Sequence, residues 1–220
     1  MTAAQEKIIQ NTISFVQEEL ADAEGGHDWF HVERVYKLSK ALAVLEKADL
    51  FVVALGALLH DVADAKFHDG DESIGPKKAR QFLEAEGVEE TVIQAVIHIV
   101  KFISYKGGHT KAPYRTPELD VVQDADRLDA IGAIGIARCF NYGGFKNRPL
   151  YDPDIKPNLK MDKETYQKGN APSLNHFYEK LLLLKDLMHT EAAKKAAEAR
   201  HRFLENYLEQ FLKEWDGQLH

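Results

Sequence analysis

Apolar residues recur along most of the chain at the three- and four-residue spacing that marks the buried side of an α-helix. Capping residues, glycines or prolines bound these segments, as they commonly bound helices. No segment of any length shows the alternation of a β-strand, and no segment is repeated. The pattern predicts an all-α fold, a helical bundle in a single domain. The predicted helices are Ala3–Glu24, Trp29–Lys47, a helix after Asp49 that contains Phe51–Leu59, Ile74–Gly87, Glu89–Tyr105, Pro117 to about Tyr142, Ser173–His189 and Thr190–Trp215.

The second predicted helix carries a histidine on its apolar side. Asp28 is a good N-cap for this helix, just as Asp49 and Thr190 are for later ones. One helical turn before Val35 lies His31, so we expect its imidazole to face inward. The apolar stripe that contains Val35 continues through Leu38, Leu42 and Leu45.

The third predicted helix is apolar nearly all round, which predicts a central buried helix. Its apolar character ends at His60, Asp61 and Asp64. An ionised carboxylate in an apolar setting is costly unless it is paired. A bound divalent cation is one partner that would offset this cost.

The segment 143–173 differs from the rest of the chain because it lacks sustained periodicity and holds four of the seven prolines. Irregular segments of this length are uncommon in compact domains and are often lids or disordered. We expect a flap that covers the site, between a core of about residues 20–140 and C-terminal helices at 173–216.

The composition fits one globular domain, with 220 residues, of which 45% are hydrophobic and 29% charged. The formal net charge of -7 disfavours binding to polymeric nucleic acid, since such binders are usually basic. A small phosphate-bearing ligand is still compatible, because a metal and a few local lysines outweigh the global charge.

The sequence also bears on localisation. The single cysteine, Cys139, cannot form an internal disulfide, which suits a reducing compartment. Met1–Glu24 has acidic residues throughout and lacks the apolar centre of a signal peptide. The longest apolar run, Phe51–Leu59, is too short to span a bilayer. We therefore expect a cytoplasmic protein that does not associate with membranes.

Three predicted helices carry metal-ligating side chains on otherwise apolar faces. These candidate ligands are His31, His60, Asp61 and Asp126. Imidazole and carboxylate together suit manganese, magnesium, cobalt, nickel or iron, and four such ligands leave octahedral positions open. Asp124 and Asp129 compete with Asp126 by proximity, and Asp126 has the alternative of an ion pair with Arg127 or Arg138. His98 interrupts an apolar helix, and for it we expect a buried structural role.

The ordered pattern of a histidine, a His-Asp pair and a later aspartate resembles that of the HD-domain metal-dependent phosphohydrolases. The local sequences are similar to the small bacterial YpgQ-like branch of that family. The similar segments are His27–Val35, Asp124–Ile136 and Asn175–Lys180. The resemblance covers roughly residues 20 to 215.

By this resemblance, His31, His60, Asp61 and Asp126 bind one divalent metal ion. The implied activity is hydrolysis of a nucleoside triphosphate to the monophosphate and pyrophosphate. Asp64, three residues after Asp61, is then the candidate to position or deprotonate the attacking water. The candidate contacts to the substrate phosphates are His27, Lys66, Lys106, Arg127 and Lys180.

Other functions stay open from the sequence. The site would equally serve a phosphatase of nucleoside monophosphates, which differs only in the phosphorus that lies near the metal. A nucleotide-binding regulator and a purely structural helical domain are the alternatives of other classes. The expected partner is a small nucleotide, and the chain is expected to be a monomer or a homodimer.

Overall fold

The computed structural model describes residues 1–21, 23, 28–63, 71, 73–103, 112–159 and 171–219. All regular secondary structure in these ranges is helical, which confirms the all-α prediction. The α-helices are α1 (Ala3–Glu19), α2 (Trp29–Glu46), α3 (Leu50–Leu59), α4 (Ile74–Ala85), α5 (Glu90–Phe102), α6 (Pro117–Asp129), α7 (Gly132–Phe145), α8 (Asn175–Glu179) and α9 (Glu191–Trp215). A 3-10 helix, Leu181–Leu187, lies between α8 and α9. In the described part of the chain, no helix is both long and apolar enough to cross a membrane.

The chain divides into two compact units, Met1–Asp126 and Arg127–His220. Helix α3 is the centre of the first unit and packs against α1, α2 and α5. Every residue from Phe51 to Leu59 is buried, as the continuous apolar run predicted. Each fully buried Leu or Val side chain contributes roughly 1.5–3 kcal/mol of transfer free energy. The end of α3 is therefore a rigid mount for the polar residues that follow it.

The three predicted N-caps are confirmed. Asp28 accepts a hydrogen bond from the backbone N–H of His31 at 3.0 Å. Asp49 accepts from two N–H groups in the first turn of α3, and Thr190 accepts from Ala193 at 3.3 Å. These side chains satisfy backbone donors that have no partner inside the helix.

The predicted stripe of α2 is wrong at its last member. Val35 and Leu42 are buried, but Leu45 is 67% exposed. The buried side of α2 is instead centred near Val35 and Ser39. With 3.6 residues per turn, Leu45 lies about 100° around the helix axis from this centre.

The single helix predicted from Pro117 to about Tyr142 is wrong, because the structure divides it into α6 and α7. The backbone is extended at Ile131, and Gly132 has a φ of 75°. A left-handed φ is readily adopted by glycine and interrupts a right-handed helix. The guanidinium of Arg200 donates to the carbonyl of Leu128, near the end of α6.

The predicted helix Ser173–His189 is also interrupted. Helix α8 ends at Glu179, and the unusual dihedral angles of Lys180 (φ -142°, ψ -58°) separate it from the 3-10 helix. In a 3-10 helix, residues three apart lie on the same side. Leu181 and Leu184 are buried in this way, while Leu183 is 44% exposed. Helix α9 packs against α7 and the 3-10 helix.

The irregular segment predicted at 143–173 begins after α7, and its described residues 146–159 contain no helix. It is tied to the start of α8 by backbone hydrogen bonds of 2.9 Å from Ser173 to Pro149 and from Leu174 to Leu150. Residues 160–170 of the predicted flap lie outside the described residues. A covering role for the flap stays a prediction.

Candidate metal centre

Two histidines from different helices meet in the first unit. The Nε2 atoms of His31, on α2, and His60, at the end of α3, are 3.2 Å apart. His31 is 1% exposed and His60 is 7% exposed. The predicted inward orientation of His31 is confirmed. Because the Asp28 cap binds the backbone N–H of His31 itself, the first turn of α2 is fixed at the residue that carries the imidazole.

The tautomer of His60 follows from its second ring nitrogen. Its Nδ1 lies 2.7 Å from the carbonyl oxygen of Ala57, so Nδ1 carries the proton and donates it. A neutral imidazole with a proton on Nδ1 has a lone pair on Nε2. Histidine ligands of metals are typically oriented by such a bond from the other ring nitrogen. His60 therefore directs an electron pair toward His31.

Two carboxylates face the same pair of imidazoles. Asp61 Oδ2 lies 3.5 Å from His31 Nε2 and 3.6 Å from His60 Nε2. Asp126 Oδ1, from α6, lies 3.5 Å from His31 Nε2. One donor atom from each of His31, His60 and Asp126 lies within 4.8 Å of the others. This mutually close group does not include Asp61, which approaches the site through its contacts with the two histidines.

The donor set fits a divalent cation in both chemistry and spacing. Two nitrogen ligands about 2.1 Å from one ion lie about 3.0–3.4 Å apart at octahedral or tetrahedral angles. The separation of 3.2 Å between the two imidazole nitrogens falls within this range. Two imidazoles and two carboxylates suit the divalent ions of the first transition row and magnesium. The residues present therefore form a candidate metal centre.

The aspartates that competed with Asp126 have other surroundings. Asp129 is 2% exposed and forms an ion pair of 3.0 Å with Arg138 in the second unit. Asp124 is fully buried and does not belong to the group of mutually close donor atoms found in the described residues. Asp126 is 30% exposed at its side chain. Among these three, only Asp126 is a member of that group.

The other predicted site residues fall into two groups. His27, Asp64, Lys66 and Lys106 lie outside the described residues. Arg127 and Lys180 belong to the second unit. The guanidinium of Arg127 donates to the carbonyl of Leu187 and to His189 Nε2, the latter at 2.8 Å. These contacts hold Arg127 within the second unit.

His98 has the buried structural role that we expected. It is 8% exposed, and its Nε2 lies 3.2 Å from the carbonyl oxygen of Tyr114. Its ring stacks on that of Tyr114, with centroids 4.2 Å apart and an interplanar angle of 7°. Burial lowers the pKa of His98 below its ordinary value.

One buried polar residue on the helix that carries Asp126 was not singled out from the sequence. Gln123 is 6% exposed and lies one turn before Asp126 on α6. Its side-chain amide donates to the carbonyls of Phe102 and Ile103, both at 3.1 Å. The signal was present in the sequence, because Gln123 follows two residues that are apolar, Val121 and Val122.

Comparison with known proteins identifies relatives over nearly the whole chain. The sequence family described as the HD domain matches residues 29–131 of this chain. YpgQ of Bacillus subtilis is 39% identical over 206 residues, which cover 93% of this chain and 92% of YpgQ. Crystal structures of YpgQ include one in complex with ADP, which superposes with a TM-score of 0.73 over 94% of this chain and 97% of that one, at 35% identity.

Two further crystal structures resemble the whole chain. A protein of Lactobacillus plantarum, 35% identical, superposes with a TM-score of 0.86 and covers 99% of this chain and 100% of its own. An HD-superfamily hydrolase of Bacillus thuringiensis, 46% identical, has a TM-score of 0.75 and covers 97% and 100% of the two chains. With the ordered histidines and aspartates gathered at the end of α3, these similarities show that the chain belongs to the HD-domain superfamily, together with YpgQ.

Proposed function

We propose that the protein is a divalent-metal-dependent phosphohydrolase that converts a nucleoside triphosphate to its monophosphate and pyrophosphate. The observation that carries this proposal is the convergence of the imidazoles of His31 and His60 with two carboxylates at the end of α3. Membership of a superfamily that includes a hydrolase supports the reaction class. The complex of YpgQ with ADP supports a nucleotide as the ligand.

In this proposal, His31, His60, Asp61 and Asp126 hold one divalent ion. When bound, such an ion supplies positive charge to phosphoryl oxygens and lowers the pKa of a coordinated water. The protein's part is to fix the four donor atoms before substrate arrives. The buried helix α3 and the Asp28 cap of α2 provide that rigidity for the two histidines.

The proposed reaction is a displacement at the α-phosphorus. The oxygen of a water molecule forms a bond to this phosphorus, and the bond to the bridging oxygen of the β-phosphate breaks. Pyrophosphate leaves with the electron pair of that bond, and we assign the proton of the water to the Asp64 carboxylate. Asp64 follows Asp61 by three residues, which motivates this assignment.

Phosphate transfer relies mainly on positioning and on neutralisation of charge. We propose His27, Lys66, Lys106, Arg127 and Lys180 as the groups that contact the substrate phosphates. For Arg127 the hydrogen bonds to Leu187 and His189 engage one terminal nitrogen. A guanidinium has five N–H donors, so these bonds are compatible with a phosphate contact as well.

The alternative enzyme is a phosphatase of nucleoside monophosphates, and the alternative of another class is a nucleotide-binding regulator. A panel of nucleoside mono-, di- and triphosphates, assayed with manganese and with magnesium, separates them when phosphate and pyrophosphate are measured separately. Pyrophosphate from a triphosphate supports the proposal, and phosphate from a monophosphate supports the phosphatase. Binding without either product, unchanged in His60→Ala, would contradict an enzymatic function.

A further inference from the structure

Gln123 is buried, and both its amide nitrogen and its amide oxygen are hydrogen-bonded. It lies on α6 with Leu119, Val122 and Ala125, which are all fully buried. A buried amide is costly unless its donors and acceptors are paired. The pairing of Gln123 is therefore informative about what it does.

The amide nitrogen of Gln123 completes the end of another helix. Phe102 is the last residue of α5, and Ile103 is its C-cap. The last carbonyls of an α-helix have no partner within the helix. Gln123 Nε2 donates to both of these carbonyls, at 3.1 Å each. A side chain of α6 thus caps the last carbonyls of α5.

The amide oxygen of Gln123 is fixed from the other side. Arg115 Nη2 donates to Gln123 Oε1 at 3.2 Å, and the same guanidinium pairs with Asp120 on α6. Because an arginine can only donate and a carbonyl can only accept, a flipped amide would lose all three bonds. The contacts determine one orientation of Gln123.

This amide connects α6, which carries the candidate ligand Asp126, to the end of α5. Asp126 follows Gln123 by three residues on α6, which is close to one turn. Helix α5 packs against α3, which leads to His60. A shift of α6 along α5 would move the Asp126 carboxylate relative to His31, from which it is 3.5 Å. The two hydrogen bonds from Gln123 Nε2 to the end of α5 oppose such a shift.

We propose that Gln123 is a positioning residue of the metal centre, which fixes α6 on the end of α5 so that the Asp126 carboxylate meets the two imidazoles. This inference rests on the proposed metal centre. Gln123 does not itself contact the metal; it acts through the placement of Asp126. Loss of a group hydrogen-bonded directly to a ligand typically costs 10–100-fold in metal affinity, and for Gln123, which acts through the helix, we expect the lower end of this range.

The test compares Gln123→Met with wild type and with Gln94→Met. Methionine keeps the length of the side chain and removes its three hydrogen bonds. Gln94 is an exposed glutamine on α5, bonded to Glu90, so its replacement is a matched control. We measure the Mn²⁺ dissociation constant by calorimetry and the Tm of the metal-free proteins. We expect a dissociation constant roughly tenfold higher for Gln123→Met and unchanged for Gln94→Met.

The readouts separate positioning from simple stabilisation. A residue that only stabilises the fold would lower the Tm and leave the Mn²⁺ dissociation constant of the folded protein unchanged. A dissociation constant within twofold of wild type therefore overturns the proposal, whatever the Tm. If Gln123→Met does not fold, the same criterion applies to Gln123→Asn, which keeps a buried amide but shortens it by one methylene. Absence of Mn²⁺ binding in wild type would instead overturn the metal centre, and this inference with it.

Discussion

The imidazole nitrogens of His31 and His60 lie 3.2 Å apart, although the residues come from different helices. The bond from His60 Nδ1 to the carbonyl of Ala57 leaves a lone pair on the facing Nε2. The His31 Nε2 atom, at hydrogen-bond distance, either donates a proton to this lone pair or shares a cation with it. This pair is therefore the feature from which the metal chemistry of the protein is best tested.

The first prediction concerns metal content. Because His60→Ala removes a nitrogen donor, we expect its Mn²⁺ affinity to fall by more than about 100-fold, which exceeds the usual effect of an outer-shell change. His98→Ala removes an equally buried histidine from the same unit and is the matched control. Elemental analysis after dialysis against Mn²⁺ measures both. Equal metal content in His60→Ala and wild type would contradict the assignment of His60 as a metal ligand.

The second prediction separates two aspartates of α6. Asp126→Asn should lose metal affinity with little change in the stability of the metal-free protein, because the Asp126 side chain is 30% exposed. Asp129→Asn should keep metal affinity and lose about 3 kcal/mol of unfolding free energy, because it leaves the Arg138 charge without its buried partner. Urea denaturation of the metal-free proteins and Mn²⁺ titration give the two quantities. Loss of metal affinity in Asp129→Asn alone would reverse the assignment.

Residues whose environment is set locally were predictable from the sequence. The caps Asp28 and Asp49 accept hydrogen bonds from N–H groups within three residues, so the residues at the start of each helix were sufficient to predict them. The burial of α3 follows from an apolar run that leaves no polar side. The convergence of His31 with His60 followed from one helical turn of spacing together with a resemblance to a family.

Residues whose environment depends on distant partners were not predictable in this way. The division between α6 and α7 is stabilised by Arg200, which lies 72 residues after the Leu128 carbonyl that it binds. The exposure of Leu45 depends on which side of α2 meets the neighbouring helices. Gln123 is a similar case, because its role comes from the carbonyls at the end of α5.

The third prediction concerns the stability of the metal-free protein in mild acid. Burial is the main cause that lowers the pKa of His98 in the folded state. As the pH falls below the ordinary histidine value of about 6.5, the unfolded chain binds a proton at this position before the folded protein does. The titration of His98 therefore lowers the free energy of unfolding as the pH falls from its unfolded-state pKa to its lower folded-state pKa. At higher pH it has no such effect.

His98→Gln removes this titration from both states. We expect the variant to lose less unfolding free energy than wild type between about pH 8 and about pH 5.5. Urea denaturation measures this difference in unfolding free energy. A chelator keeps both proteins metal-free, so that the other histidines titrate alike in both. Parallel pH profiles would show that His98 is not a source of the acid sensitivity.

The fourth prediction concerns the thiol of Cys139. Burial raises its pKa to about 12, against the weaker opposing effects of Lys180 and Arg148. At about pH 8 the thiolate fraction is then roughly 1,000-fold lower than for an exposed cysteine. We expect very slow reaction with a disulfide reagent in the folded protein and full reaction in guanidinium chloride. Rapid labelling of the folded protein would contradict the raised pKa of this thiol, whose residue is half-buried.

The last prediction tests the division between α6 and α7 with two glycines that share a left-handed backbone. Gly132 has a φ of 75° and Gly87 a φ of 70°. A Cβ at Gly132 would lie 3.1–3.4 Å from three side-chain carbons of Arg200, whereas at Gly87 it would meet nothing within 4 Å. Gly87→Ala therefore measures the cost of the backbone conformation alone, which is about 1 kcal/mol.

Gly132→Ala adds to this cost the displacement of Arg200, whose guanidinium binds the Leu128 carbonyl near the end of α6. We expect its loss of unfolding free energy to exceed that of Gly87→Ala by about 1–3 kcal/mol, the usual cost of overpacking. Removing the Arg200 side chain should abolish the excess, so Gly132→Ala combined with Arg200→Ala should show only the backbone cost relative to Arg200→Ala. Urea denaturation of these variants forms a double-mutant cycle. A zero coupling energy would show that the added Cβ does not displace the Arg200 side chain.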